Sequence, residues 1–271
     1  MLKKLIKYDL KYGAKIFIVI HALLWIAAIF GRVFFLDRID FDAPTEQLVS
    51  VLVLFFSAFV LLLMVIVVGV ISSFYFIYWF YKNLFTDEGY LTWTLPASPV
   101  QQLWAKILSG CIWNILDLIL LYSATYFMWI SPNVQNAYRM IAAEFTASLG
   151  MPLSKFFLLM VLLSIIGVGS NVLMLYASIS IGQLFPAHRL LLSVIVYFIF
   201  YMIIYALSMG ALIIFKLLPG IALSANTVNE AASMSTYLTG TFLISLVLSA
   251  VMAVIQYVIT HLILTRKLNL I

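Results

Sequence analysis

Long apolar stretches, separated by short polar segments, dominate the pattern of this chain. Six of them contain the roughly 20 mostly apolar residues that a helix needs to cross about 30 Å of hydrocarbon. They cover approximately residues 16–36, 48–80, 103–130, 156–184, 190–215 and 238–264. We therefore predict an all-α integral membrane protein with six transmembrane helices, organised as a single transmembrane domain over residues 1–271.

Composition excludes the other broad classes of protein. The 271 residues are 65% hydrophobic and 9% charged, whereas soluble chains are about 45–50% apolar and about 25% charged. So few charges could not cover this apolar surface in water, and they also argue against binding to nucleic acid. The one cysteine, Cys111, cannot form an internal disulfide, and no Cys/His cluster has the spacing of a metal site. We therefore expect no metal site.

The basic residues predict the orientation of the spans, because cytoplasmic loops carry an excess of lysine and arginine. With the N-terminus inside, ten basic residues lie on the cytoplasmic side and five lie outside, and six spans return the C-terminus to the cytoplasm. The predicted cytoplasmic set is Lys3, Lys4, Lys7, Lys11, Lys15, Lys82, Lys106, Arg189, Arg266 and Lys267. The predicted outer set is Arg32, Arg38, Arg139, Lys155 and Lys216, together with the acidic residues Asp37, Asp40, Asp42, Glu46, Glu144 and Glu230.

Residues 1–15 are predicted to form an amphipathic helix ahead of the first span. Lys4, Lys7, Lys11 and Lys15 recur at intervals of three and four residues, while apolar residues gather on another side. Such a helix can lie in the headgroup plane with its lysines against anionic lipid. The alternative is a basic tail that only sets the topology, and both interpretations fit the sequence.

The segment between the second and third spans has unusual features. The second span, at about 33 residues or roughly 50 Å, is longer than the bilayer requires, so it either tilts or projects at residues 72–81. Ser98, Pro99 and Gln101 fit the N-cap, N1 and N3 positions of the third helix. Residues 82–95 leave room for one or two short helices, whose apolar side chains must pack on the membrane surface, on a partner or on the protein's own helix ends. These side chains are Leu84, Phe85, Tyr90, Leu91, Trp93 and Leu95.

Sequence motifs for catalysis are missing from the chain. None of its 12 glycines is followed by lysine, so it lacks the G-x-x-x-x-G-K-[ST] loop that cradles ATP phosphates. It also lacks G-x-S-x-G and H-E-x-x-H. His21, His188 and His261 lie near the ends of spans and are predicted to be interfacial. We therefore expect no enzymatic activity and no cofactor bound by this chain.

One carboxylate is predicted to lie in the middle of a span. Asp117 is near the centre of the third span, and Asn114 and Gly110 share its helix face. An intramembrane carboxylate is costly and indicates a function by default, which makes Asn114 and Asp117 candidates for lining a translocation path. The alternative is a structural hydrogen bond to a neighbouring helix, for example to Asn171.

The segment from Lys82 to Pro96 carries a more specific signal. Its sequence K-N-L-F-T-D-E-G-Y-L-T-W-T-L-P, followed by Lys106, resembles the D-E-G-Y-L-T-x-T-L-P segment in membrane subunits of bacterial type-2 ATP-binding cassette (ABC) exporters, especially those of Firmicutes. The sequence-specific part of the resemblance covers about 15 residues, whereas the six-span layout covers the whole chain.

The resemblance implies that this chain is a permease without its own motor. In that family, the cytoplasmic segment between spans two and three contacts the ATPase as a coupling helix. That role would fall on Asp87, Glu88, Gly89, Tyr90 and Leu91. The resemblance further implies a homodimer or heterodimer of permease chains in the bacterial cell membrane, ABC ATPase subunits that carry ATP and Mg, and contact between residues 1–15 and membrane lipid. It does not carry over a substrate.

A membrane protein without a motor is the alternative hypothesis. It would be either an ion-coupled transporter that uses Asp117 or a structural subunit. An ion-coupled carrier should show several intramembrane charges and inverted repeats, whereas this sequence shows one mid-span carboxylate and no evident repeat.

Overall fold

The computed structural model describes residues 1–38, 46–215, 217 and 227–266, and every regular element in these ranges is helical. The first helix passes into a π-helical turn, Gly31–Phe35, and a 3-10 turn, Leu36–Arg38. The α-helices are α1 Leu2–Phe30, α2 Glu46–Phe85, α3 Asp87–Thr94, α4 Pro99–Trp129, α5 Pro132–Leu149, α6 Leu153–Gly182, α7 Arg189–Ile214 and α8 Thr227–Arg266.

Six helices within the described residues are long and apolar enough to cross a membrane, namely α1, α2, α4, α6, α7 and α8. Much of their apolar surface is exposed, as expected where lipid rather than protein covers a helix. This arrangement confirms the predicted all-helical, multi-pass membrane architecture. The predicted basic and acidic residues Asp40, Asp42, Lys216 and Lys267, and the side chains of Glu46 and Glu230, lie outside the described part of the chain.

Polar contacts at the two ends of the bundle fix the directions of α1, α2 and α4. The Lys106 Nζ lies 2.6 Å from the Asp9 Oδ1, and the Trp79 Nε1 donates to the same oxygen at 2.9 Å. The starts of α1 and α4 therefore meet the end of α2. At the opposite end of the bundle, the Arg32 guanidinium donates to the Phe127 carbonyl at 2.8 Å. Helices α1 and α4 are therefore parallel to each other and antiparallel to α2.

The end of the bundle that contains the start of α1 is called the basic end below.

Helix α1 runs without a break through residues 15 and 16, so the predicted amphipathic helix 1–15 is the first half of α1 and not a separate element. One buried stripe follows the whole helix, and the exposed lysines of the first half lie on the opposite face. The buried stripe is Asp9, Gly13, Phe17, Ile20, Leu24 and Ala28.

The predicted start of the third span is confirmed. The Ser98 hydroxyl accepts a hydrogen bond from the Gln101 backbone N–H at 3.2 Å, and the Gln101 side chain accepts one from the Ser98 N–H at 3.4 Å. With Pro99 at the first helical position, these bonds make a complete capping box for α4. Helix α2 is longer than predicted, because it continues to Phe85 over 40 residues, or about 60 Å.

Helix α5 occupies the segment that joins α4 to α6. It is 18 residues long and packs against α2 and α8. Its beginning is tied to the end of the first span, because the Ser131 hydroxyl donates to Asp37 at 2.5 Å and the Asn133 amide donates to the Leu36 carbonyl at 2.7 Å. This end of the bundle is therefore closed by a polar contact between the first span and α5.

Candidate functional site

The predicted coupling segment forms one short helix, α3, at the basic end. It begins after Thr86, where the chain leaves α2, and ends before Pro96, which cannot continue a helix. The side chains alternate between two faces at helical spacing. The inner face consists of Glu88, Gly89, Thr92 and Trp93, which are buried or half-buried, and the outer face consists of Asp87, Tyr90, Leu91 and Thr94, which are exposed.

Three contacts hold the inner face of α3 against its neighbours. The Trp93 indole N–H donates to the Leu84 carbonyl at 3.2 Å, and the Gln102 amide donates to the Thr92 carbonyl at 2.8 Å. The Glu88 carboxylate pairs with Lys82 at 2.9 Å. Helix α3 is therefore attached to the end of α2 and to the start of α4 at once.

The apolar residues of the 82–95 segment divide between two environments. Leu84 and Phe85 are buried in the core of this chain, and Trp93 packs partly against it. Leu91 is 72% exposed, Tyr90 is 50% exposed and Leu95 is 46% exposed. Of the three packing alternatives, packing on the protein's own helix ends therefore accounts for the first group, whereas the second group remains half or more exposed, or nearly so.

The five predicted coupling residues consequently do not share one face of α3. Asp87, Tyr90 and Leu91 share the outer face, whereas Gly89 is buried and Glu88 is engaged by Lys82. An ATPase that docks on α3 would meet one acid and two apolar side chains of the predicted set.

A second polar site lies in the middle of the bundle, around Asp117. Its Oδ1 is 2.6 Å from the His21 Nε2 of α1, and its Oδ2 accepts a hydrogen bond from the Ser72 hydroxyl of α2 at 2.7 Å. The predicted partner Asn171 was therefore wrong. Asn114 does not join the cluster, because its amide donates to the Gly110 carbonyl of its own helix at 3.1 Å.

The order of these three groups determines their chemistry. The carboxylate lies between the histidine and the serine and binds each with a different oxygen. A nucleophilic triad instead requires histidine between the carboxylate and the serine, so that the imidazole can take the hydroxyl proton. The arrangement can hold or exchange a proton, and it does not activate Ser72 as a nucleophile.

A third polar site, at the basic end, was missed by the sequence analysis. Asp9 and Lys106 form an ion pair with both side chains buried, and the Lys106 ammonium also donates to the Asn83 side-chain oxygen at 3.2 Å. The same ammonium lies 4.9 Å from the Trp79 ring centroid. The Tyr176 hydroxyl of α6 donates to the Lys106 carbonyl at 3.3 Å, so four helices meet at this pair.

Helical phase was the signal that could have identified Asp9. Asp9 lies on the face of α1 opposite its lysines, whereas His21, twelve residues or about 3.3 turns further along, is rotated by about 120° from Asp9. A charged residue on the apolar side of an amphipathic helix needs a buried partner. The identity of that partner, however, comes from a segment almost a hundred residues away.

Comparison with protein-family models, curated proteins and solved structures gives no match for this chain. Within the described residues, no group of three or more His, Cys, Asp and Glu side chains is arranged to hold a metal ion. A proposal of function therefore rests on the resemblance of the 82–96 segment and on the geometry of α3.

Proposed function

We propose that this chain is the permease subunit of an ATP-driven ABC exporter and is powered by ATP hydrolysis on separate ATPase subunits. The observation that carries the proposal is α3, a short helix with an exposed outer face at the basic end of a bundle of apolar helices. The sequence of α3 lies within the segment that resembles the coupling segment of these exporters. The lack of an ATP-binding loop in these 271 residues fits a division of labour between permease and motor.

The outer face of α3 suits a protein partner. Exposed aromatic and leucine side chains beside each other are typical anchors of an interface, since they gain most when water is excluded around them. Leu91 and Tyr90 are adjacent on this face, and Asp87 is available to pair with a basic group at the rim. The hydrogen bonds of Trp93 and Gln102 attach the inner face of α3 to α2 and α4. A displacement of α3 by a bound partner would therefore also move the ends of these two helices.

The proposal also assigns the surroundings of the chain. The exposed lysines of α1 would contact anionic headgroups of the bacterial cell membrane, with both termini in the cytoplasm. A second permease chain, identical or different, would complete the translocation path, and ATP and Mg would be bound by the ATPase subunits. Asn114 and Asp117 remain candidates for that path, although Asn114 bonds to its own helix.

The first test is association with a motor. The chain should be expressed with the P-loop ATPase encoded beside its gene, purified by a tag on the permease, and analysed for the bound ATPase and for ATP hydrolysis in reconstituted membranes. We expect a stable complex whose hydrolysis requires both chains. The absence of an encoded ATPase nearby, or a failure of the two chains to associate, would contradict the proposal.

The second test removes the proposed anchors of α3. Tyr90→Ala combined with Leu91→Ala should release the ATPase or uncouple hydrolysis from transport, because truncation of a buried anchor costs about 2 kcal/mol or more. The measurement is ATPase pull-down and transport in membranes with matched permease levels. Leu190→Ala is the matched control, since Leu190 lies in the first turn of α7 at the same end of the bundle and is 74% exposed, against 72% for Leu91.

A third variant separates the apolar anchors from the charge. Asp87→Ala should weaken the complex less than the double variant, and its effect should shrink in high salt, because a rim charge is screened by ions. If the Tyr90 and Leu91 double variant binds the ATPase and transports like the unmodified chain, α3 is not the coupling element and the proposal loses its main support.

A further inference from the structure

The hydrogen bond between His21 and Asp117 contains an exchangeable proton. At 2.6 Å, the His21 Nε2 and the Asp117 Oδ1 require a hydrogen between them, which either group can carry. A neutral imidazole with its proton on Nε2 donates to the carboxylate, and the cluster then has one negative charge. One further proton, on the imidazole Nδ1 or on the carboxyl group, brings the net charge to zero.

The surroundings of the cluster are apolar along α1 and α2. One turn on either side of His21, α1 buries Phe17 and Leu24, and α2 buries Val68 and Phe76 around Ser72. A net negative charge in such surroundings is costly, and a single bound proton removes it. The cluster therefore has two states that differ by one proton and by one unit of charge in the membrane-spanning part of the bundle.

Other titratable groups are remote from the cluster in the part of the chain that the structure describes. His21 is the group that α1 supplies to the cluster itself. From α2, the Tyr75 hydroxyl lies near Gly13, which is about two turns nearer the basic end than His21. The Tyr176 hydroxyl of α6 donates to the Lys106 carbonyl, toward the basic end. The Tyr257 ring of α8 contacts Trp104, also toward the basic end. From α5, Tyr138 contacts Trp129 at the opposite end. Along α1, Lys15 is six residues from His21 and exposed, and Asp9 is buried and paired with Lys106. Along α4, Lys106 is eleven residues, or about three turns, from Asp117.

The histidine is the more accessible of the two titrating groups. The His21 side chain is 14% exposed and the Asp117 side chain 8%, so the imidazole is the more open end of the cluster. Histidine is also the side chain that gains and loses a proton most readily near neutral pH.

From this geometry we infer that His21, Asp117 and Ser72 form a site inside the bundle that binds and releases one proton. The two titrating groups share this proton, and Ser72 orients the carboxylate by bonding to its second oxygen. Because the site joins α1, α2 and α4, its charge changes at the point where these three helices meet. The inference goes beyond the proposed function, since a motor-driven exporter and a carrier without a motor could each contain such a site.

The test is a titration of the purified full chain in lipid nanodiscs. Infrared difference spectra between about pH 5 and pH 8, the range in which histidine titrates, should show the uptake of one proton by the carboxyl group or the imidazole. The signal should disappear in Asp117→Asn and in His21→Gln, because each variant removes one of the two groups that share the proton. His188→Gln, which removes an exposed histidine, should remove only the imidazole bands of that residue and leave the signal of the cluster unchanged.

Two outcomes of this titration would overturn the inference. The inference is wrong if the unmodified chain shows no proton uptake at the cluster in this range, or if the same signal persists in both Asp117→Asn and His21→Gln. If those variants do not fold, Ser72→Ala keeps both titrating groups and removes only the hydrogen bond to the carboxylate. A shifted midpoint in Ser72→Ala would support the inference, and an unchanged midpoint would overturn it. No ATPase is present in this measurement, so its failure is independent of the failure of the proposed function.

Discussion

At the scale of single residues, the buried charged side chains are the positions at which we expect substitution to destabilise the fold most. Lys106 and Asp9 are each about 95% covered by protein, and Trp79 and Asn83 supply further hydrogen bonds to the pair. Taking two charges out of water is expensive, and their mutual attraction offsets that cost only when both are present and well bonded. The pair therefore determines how well four helices fit at the basic end.

A double-variant cycle tests this dependence. Asp9→Asn or Lys106→Met alone should destabilise the fold by about 3–5 kcal/mol, because each leaves an uncompensated buried charge or donor. The double variant should recover much of that loss. The measurement is the apparent Tm in detergent, followed by size-exclusion chromatography. Additive losses in the double variant would show that the two side chains do not act as a pair.

At the scale of elements, α1 packs against α2 and α4 with very little clearance at Gly13. A Cβ atom there would lie 2.7 Å from the Tyr75 hydroxyl and 2.8 Å from the Trp113 indole nitrogen. Next to this contact, Phe17 stacks on Trp113 with ring centroids 4.3 Å apart. The missing side chain of Gly13 therefore allows the aromatic layer of α2 and α4 to reach the backbone of α1.

Alanine substitutions at two glycines test the packing of α1. Gly13→Ala should lower the apparent Tm, since overpacking a tight contact costs about 1–3 kcal/mol. Gly69→Ala is the matched control, because no atom lies within 4 Å of its added Cβ and alanine favours a helix. Equal effects of the two substitutions would contradict the close approach at Gly13.

Sequence reasoning succeeded at the element scale wherever the deciding signal was local. The spans follow from apolar length, and the start of α4 follows from Ser98 and Gln101, which lie three residues apart. It failed where partners are remote, as for His21, which was predicted to be interfacial and instead bonds Asp117 across 96 residues. Residues 1–15 form the first half of α1, and an apolar stripe opposite lysines fits both a helix on the membrane surface and one packed on protein.

At the scale of the whole molecule, the polar contacts order the helix ends as the predicted topology requires. The starts of α1 and α4 and the end of α2 lie together, with α3 beside them. Most of the described basic residues of the predicted cytoplasmic set belong to this end. The lysine bias then predicts which side of the membrane the basic end faces.

Cysteine labelling on whole cells tests that orientation. In a Cys111→Ala background, Asn136→Cys on exposed α5 should react with an impermeant thiol reagent, whereas Asp87→Cys on α3 should react only after the cells are opened. Both side chains are exposed in this chain, so access to the reagent depends on the side of the membrane. Labelling of position 87 in intact cells would reverse the topology.

The ion pair at the basic end also has a consequence for synthesis. Asp9 and Lys106 are 97 residues apart, and at a ribosomal rate of about 5–20 residues per second the lysine follows the aspartate by roughly 5–20 s. During that interval, α1 and α2 are already available to the insertion machinery, but the Asp9 carboxylate has no cationic partner from α4. We therefore expect the Asp9 carboxylate to stay in contact with water until α4 has been synthesised. The packing of the first half of α1 against α4 would then be a late step in biogenesis.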